Sequence, residues 1–119
     1  MPFNQKPHKF NAKINTVTIG SGDKTVTLGG DCTFPFYTFD ATSENGPKVG
    51  VEISDMGMEG MSEGITAYYE GATTMAEIAK KAVEMEGADF LVLSLEGGDP
   101  NGADKSVDEL IEVVKEVAD

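Results

Sequence analysis

An α/β fold built from parallel strand–helix units is what this sequence of 119 residues predicts. Three observations point to it. Residues 90–95, Phe-Leu-Val-Leu-Ser-Leu, form an almost unbroken apolar run, the pattern of a strand covered on both faces. A second short run, Val-Gly-Val-Glu-Ile-Ser at 49–54, precedes it. After each run comes a segment with helical spacing of apolar residues, opened by a Ser or Thr with Glu three positions later. Strands alternating with helices imply parallel βα units joined by right-handed crossovers.

Residues 1–12 are polar and carry Pro2 and Pro7, which predicts an arm. Ile14, Val17 and Ile19 alternate with polar residues, and Val26 and Leu28 repeat the pattern after a glycine-containing stretch at 20–24. Two β-patterned runs around a short glycine turn predict a hairpin. The following segment places Phe34, Phe36, Tyr37 and Phe39 close together, with Pro35 blocking a regular helix or central strand. Such a cluster either closes one end of a core or forms a wall against a flat cofactor or a partner protein.

The strand at 49–54 ends in Asp55. A long connection to about residue 73 follows, rich in glycine and carrying Met56, Met58 and Met61. Connections of this length are functional or disordered, and methionine suits an irregular apolar contact. Thr74 and Glu77 have capping-box spacing. Met75, Ile78, Ala79, Ala82 and Val83 mark the buried face of the helix they open, and Gly87 is placed to close it. Ser106 and Glu109 form a second capping box, followed by a stripe of Val107, Leu110, Ile111, Val114 and Val117.

Residues 1–46 thus comprise the arm, hairpin and aromatic segment, and residues 47–119 comprise two βα units of an incomplete domain. Two parallel strands and two helices leave much of a sheet uncovered. The expectation is the beginning of a larger α/β domain, or, if the chain is complete, an oligomer.

Composition narrows the partners. The formal net charge of -12 opposes binding to nucleic acid and to anionic membranes. A single cysteine, Cys32, forms no internal disulfide and fits a reducing, cytoplasmic setting. One Cys and one His, His8, cannot build a thiolate zinc site or hold an iron–sulfur cluster alone. No apolar run approaches a transmembrane span.

The loop at 96–105 holds three glycines, a proline and several acids. Gly97 and Gly102 have phosphate-loop spacing, but Ala103 and Asp104 stand where Lys and Ser or Thr should follow. Asp99, Asn101 and Asp104 are calcium-loop residue types in the wrong register. No G-x-S-x-G, H-E-x-x-H or C-x-x-C motif occurs. Asp55, Glu96 and Asp99 all follow predicted strands, so they should share one mouth. They read either as a polar ring around a ligand or as solvated loop acids, with Asp99 fixing its own turn.

Three stretches in series carry a resemblance: Gly29-Gly-Asp31 with Phe34-Pro35-Phe36 and Phe39; Val49-Gly-Val-Glu-Ile-Ser-Asp55; and residues 87–106, from Gly-Ala-Asp through Gly-Gly-Asp-Pro-Asn-Gly to Lys-Ser. They resemble the N-terminal part of the small subunit of the corrinoid iron–sulfur protein, the delta subunit family of acetyl-CoA decarbonylase/synthase, from about Lys13 onward. The resemblance implies the hairpin and first two βα units of a (β/α)8 TIM barrel, which needs roughly 250 residues. It implies a non-catalytic subunit paired in a heterodimer with a large subunit that carries the corrinoid (cobalamin) and the iron–sulfur cluster. The complex would move a methyl group from methyltetrahydrofolate, through a methyltransferase, to CO dehydrogenase/acetyl-CoA synthase in the reductive acetyl-CoA pathway of carbon fixation. This sequence has no Asp-x-His pair to ligate cobalt from below. Asp31, Phe34, Phe36, Asp55, Glu96 and Asp99 are the candidate cofactor-facing residues at the barrel mouth, with no catalytic or metal-ligating residue expected. Two alternatives stand beside this reading. One is a methyltetrahydrofolate-dependent methyltransferase of the pterin-binding barrel type, using the strand-end acids on the pterin. The other is a cofactor-free α/β interaction module.

Overall fold

The computed structural model describes residues 2, 11–32 and 44–118. His8 and the aromatic segment, with Phe34 and Phe36, lie outside the described residues. The chain forms two compact units, Met1–Lys48 and Val49–Asp119.

In the first unit, strands β1 (Val17–Ser21) and β2 (Lys24–Leu28) pair antiparallel, with Ser21 opposite Lys24. The hairpin is the predicted one, but its turn is tighter than the glycine-containing stretch suggests. Only Gly22 and Asp23 lie between the strands. Gly22 has φ 57° and Asp23 has no positive φ, the arrangement of a type II′ turn, whose twist suits a hairpin. Gly20 belongs to β1. A Cβ there would collide with the Lys24 carbonyl, so glycine at 20 permits close strand approach rather than marking the turn. Beyond the strands, the Ile14 N–H donates to the Asp31 carbonyl at 2.9 Å and the Gly30 N–H donates to the Ile14 carbonyl at 3.0 Å.

In the second unit, β3 (Gly50–Ser54) and β4 (Phe90–Ser94) pair in parallel, with Ser54 beside Ser94. The pair is fastened at its start by Asp89, whose carboxylate accepts from the Val49 N–H at 2.8 Å. Side chains alternate along both strands. Val51, Ile53, Leu91 and Leu93 belong to the hydrophobic core, Ile53 at its centre with 2% exposure. Glu52 and its neighbour Val92 are exposed. The sheet is therefore covered on one face only among the described residues. The coverage on both faces expected for β4 is not met, because an apolar run reports what a strand can bury, not what lies against it.

The long connection is not a bare loop. It contains helix α1 (Glu63–Tyr68) and delivers Tyr69, 7% exposed, to the core, while Met58 and Ala72 pack against it. The Tyr68 hydroxyl donates to the Lys81 carbonyl at 2.9 Å, and the Lys81 ammonium donates to the Glu70 carbonyl. These bonds tie α1 to helix α2 (Met75–Val83).

Helix α2 opens at Thr74 with a complete capping box. Its Ile78, Ala79 and Ala82 are buried, but Val83 is exposed. The helix also ends before Gly87. Gly87, with φ 84°, instead serves a separate turn closed by the Ala88 N–H on the Met85 carbonyl at 3.0 Å. Helix α3 (Val107–Ala118) starts after its predicted cap, where the Glu109 N–H donates to the Ser106 hydroxyl at 3.4 Å. Only part of its apolar stripe is covered. Val117 packs against the core, whereas Val107, Ile111 and Val114 are exposed. A helix stripe wider than the neighbours it meets leaves one flank uncovered. The Ala76 N–H of α2 donates to Glu116 of α3 at 3.3 Å. No helix among the described residues is long and apolar enough to cross a membrane.

Candidate functional site

Parallel pairing in register brings the C-terminal ends of β3 and β4 to one edge of the sheet. Asp55 follows β3, and the loop after β4 begins with a 3₁₀ turn, Glu96–Gly98. The Asp55 N–H donates to the Ser94 carbonyl at 3.0 Å, which continues the strand pairing into the loops.

Asp55 is buried, with no exposed side-chain surface. One carboxylate oxygen accepts from the Gly97 N–H at 2.8 Å, and the other accepts from the Lys105 ammonium at 3.1 Å. Burial pushes the Asp55 carboxyl up. The Gly97 N–H and the hydrogen bond and charge of Lys105 more than offset it, so the group sits below its ordinary value and stays ionised. Gly97 is itself buried, and a Cβ on it would strike the Asp55 carboxylate and come within 2.6 Å of Lys105 Cδ.

Glu96 is anchored beside it. The Ser54 hydroxyl donates to the Glu96 carboxylate at 2.7 Å and accepts from the Met56 N–H at 3.2 Å. Asp99 fixes its own turn: its carboxylate accepts from the Asn101 N–H at 2.8 Å, while its carbonyl accepts from Gly102 and Asp104 at 2.9 and 3.0 Å. Asp104 closes that turn in the left-handed region at φ 49°, which Asp tolerates better than most residues. The loop leads to α3, where the Ser106 backbone N–H and then its hydroxyl hold Glu109 below the usual carboxylate range.

The structure thus brings Asp55 and Glu96 together at one edge and places Asp99 farther along the same loop. Asp31 lies in the first unit, its carbonyl bound to Ile14. Phe34 and Phe36 fall outside the described residues. Two residues that the sequence reading did not single out complete the arrangement, Ser54 and Lys105. Lys105 is the lone base in an acidic loop, opposite a strand-end acid, and that pairing of opposite charges on successive units is the signal that points to it. Among the described residues, no group of three His, Cys, Asp or Glu side chains is placed to hold a metal ion. Cys32 is exposed. This edge presents the exposed acids Glu96 and Asp99, whereas the N–H groups of Gly97, Asn101, Gly102 and Asp104 already donate within the chain, and its donor set does not fit cobalt ligation.

The family model for the CO dehydrogenase/acetyl-CoA synthase delta subunit matches residues 16–118. The chain belongs to this family. It is similar to the acetyl-CoA decarbonylase/synthase complex subunit delta of Archaeoglobus fulgidus, with 30% identity covering 97% of this chain and 27% of the relative. Subunit delta 2 of Methanosarcina acetivorans is 36% identical over 82% of this chain and 22% of its own length. The subunit delta of Methanothermobacter thermautotrophicus is 29% identical, covering 97% of this chain and 30% of the relative. The chain spans about a quarter of the length of these curated relatives.

Proposed function

We propose that this chain supplies the N-terminal hairpin and first two βα units of a (β/α)8 barrel subunit in an acetyl-CoA decarbonylase/synthase complex. The observation that carries the proposal is the family match across residues 16–118. The parallel β3–β4 pair supports the barrel reading: α2 lies on one face, and the face bearing Glu52 and Val92 is the one a closed barrel would turn inward.

On this reading the subunit is not itself catalytic. A large partner subunit holds the corrinoid and the iron–sulfur cluster, and the complex carries a methyl group from methyltetrahydrofolate, delivered by a methyltransferase, to CO dehydrogenase/acetyl-CoA synthase. The corrinoid supplies the methyl-accepting and methyl-donating chemistry, while the protein positions it and excludes water. The loop 96–102 forms part of the rim facing that cofactor. Glu96 and Asp99 lie on the rim and Asp55 beneath it.

Co-expression with the large corrinoid subunit, followed by affinity purification on a tag carried by this chain, tests the proposal. The expected result is a coloured complex with a corrinoid absorption spectrum. A colourless chain with saturable methyltetrahydrofolate binding would overturn it in favour of the methyltransferase reading. A folded chain binding neither would favour a cofactor-free interaction module.

A further inference from the structure

The loop between β4 and α3 is a self-contained piece with few attachments. Its middle bonds to itself: the Asn101, Gly102 and Asp104 N–H groups all donate to Asp99. Its two ends meet, because the Lys105 N–H donates to the Gly97 carbonyl at 2.9 Å. Both ends then converge on one carboxylate 42 and 50 residues earlier in the chain, through the Gly97 N–H and the Lys105 ammonium. The ammonium also reaches the Asp55 carbonyl at 3.4 Å. Outside this convergence, the loop is held by the Ser54–Glu96 bond and by Gly98, where an added Cβ would come within 2.9 Å of Leu110.

We propose that Asp55, Gly97 and Lys105 form a clasp that fixes the position of the β4–α3 loop, and that release of Lys105 frees the loop as a unit while the neighbouring helices stay in place. Two features support a releasable device rather than ordinary packing. The acid is wholly buried, but Lys105 retains 27% of its side-chain exposure and can leave without opening the core. Among the described residues, Lys105 is the one side chain paired with the Asp55 carboxylate. Without the ammonium, that buried carboxylate keeps only the Gly97 N–H. Asp55 and Lys105 are thus positioning residues, acting through the loop they hold, and this role does not depend on the identity of the partner.

Amide hydrogen exchange on the whole chain tests the clasp, comparing the natural protein with Lys105→Met, Lys105→Arg and Asp55→Asn. In Lys105→Met, the Gly97, Gly102 and Asp104 amides are expected to exchange about tenfold faster, while the α2 amides at 79–83 change by less than about twofold. Lys105→Arg is expected to restore most of the protection, since its guanidinium also pairs with a carboxylate. Unchanged loop amides in Lys105→Met would overturn the proposal. So would loop and α2 amides accelerating together, or Lys105→Arg behaving like Lys105→Met. If Asp55→Asn does not fold, the two lysine variants still decide the outcome.

Discussion

Ile53 is the residue on which the second unit's stability should depend most. It is 2% exposed at the centre of a core whose other buried apolar members are Tyr69, Ile78, Ala79 and Ala82. Ile53→Ala removes three carbons, worth about 2.4 kcal/mol at roughly 0.8 kcal/mol each, and the cavity left behind brings the loss to about 3–4 kcal/mol. A unit of this length has a total stability of about 4–10 kcal/mol. With a urea slope of about 1 kcal/mol per M for a small unit, the unfolding midpoint should fall by roughly 3 M. Far-UV circular dichroism across a urea series reads this directly. The matched control is Val92→Ala on the open sheet face, where Val92 is 40% exposed. It should cost less than about 1 kcal/mol, because little packing is lost there. A midpoint shift for Ile53→Ala no larger than that of Val92→Ala would refute a core on the α2 side of the sheet.

Thr74→Ala removes the α2 cap and should cost about 1 kcal/mol, read as a lower thermal midpoint, with Ser106→Ala doing the same at α3. At Gly50, an added Cβ would lie 2.6 Å from Phe90 Cε2, so Gly50→Ala should cost about 1–3 kcal/mol. The loss should shrink when combined with Phe90→Leu in a double-mutant cycle. Acid should also weaken the second unit. The folded Asp55 carboxyl lies below its ordinary value of 3.8, so its contribution is present in full above that value and is lost as pH falls through the folded value. Asp55→Asn should therefore flatten stability against pH in this acid range, which urea titrations at successive pH values would show.

Much of the fold was legible because its signals are local. Thr74 with Glu77 and Ser106 with Glu109 announce helix starts within four residues, and both are present. The alternation of strands and helices predicted the parallel β3–β4 pair. Helix α1 was not legible: it is six residues long and includes Gly64 and two β-branched residues, so its pattern is weak, and its bonds to α2 are not written in its own segment. The exposed positions of Val83, Ile111 and Val114 were missed for a related reason. Helical spacing shows a face that can be buried, whereas coverage depends on which elements arrive. At the candidate site, the strand-end positions of Asp55 and Glu96 followed from topology. The partners of Asp55 did not, because Gly97 and Lys105 lie 42 and 50 residues away.

The bond from the Ala76 N–H to Glu116 bears on the order in which the chain is made. The first N–H groups of a helix lack partners within it, and in α2 the Glu77 N–H is met by Thr74 while the Ala76 N–H is met by Glu116. Glu116 is 40 residues further along. At a synthesis rate of about 5–20 residues per second, α2 waits roughly 2–8 seconds for that partner. Helix α2 can therefore take shape early on its capping box, but its N-terminus is completed only when the last turn of α3 has been synthesised and docked.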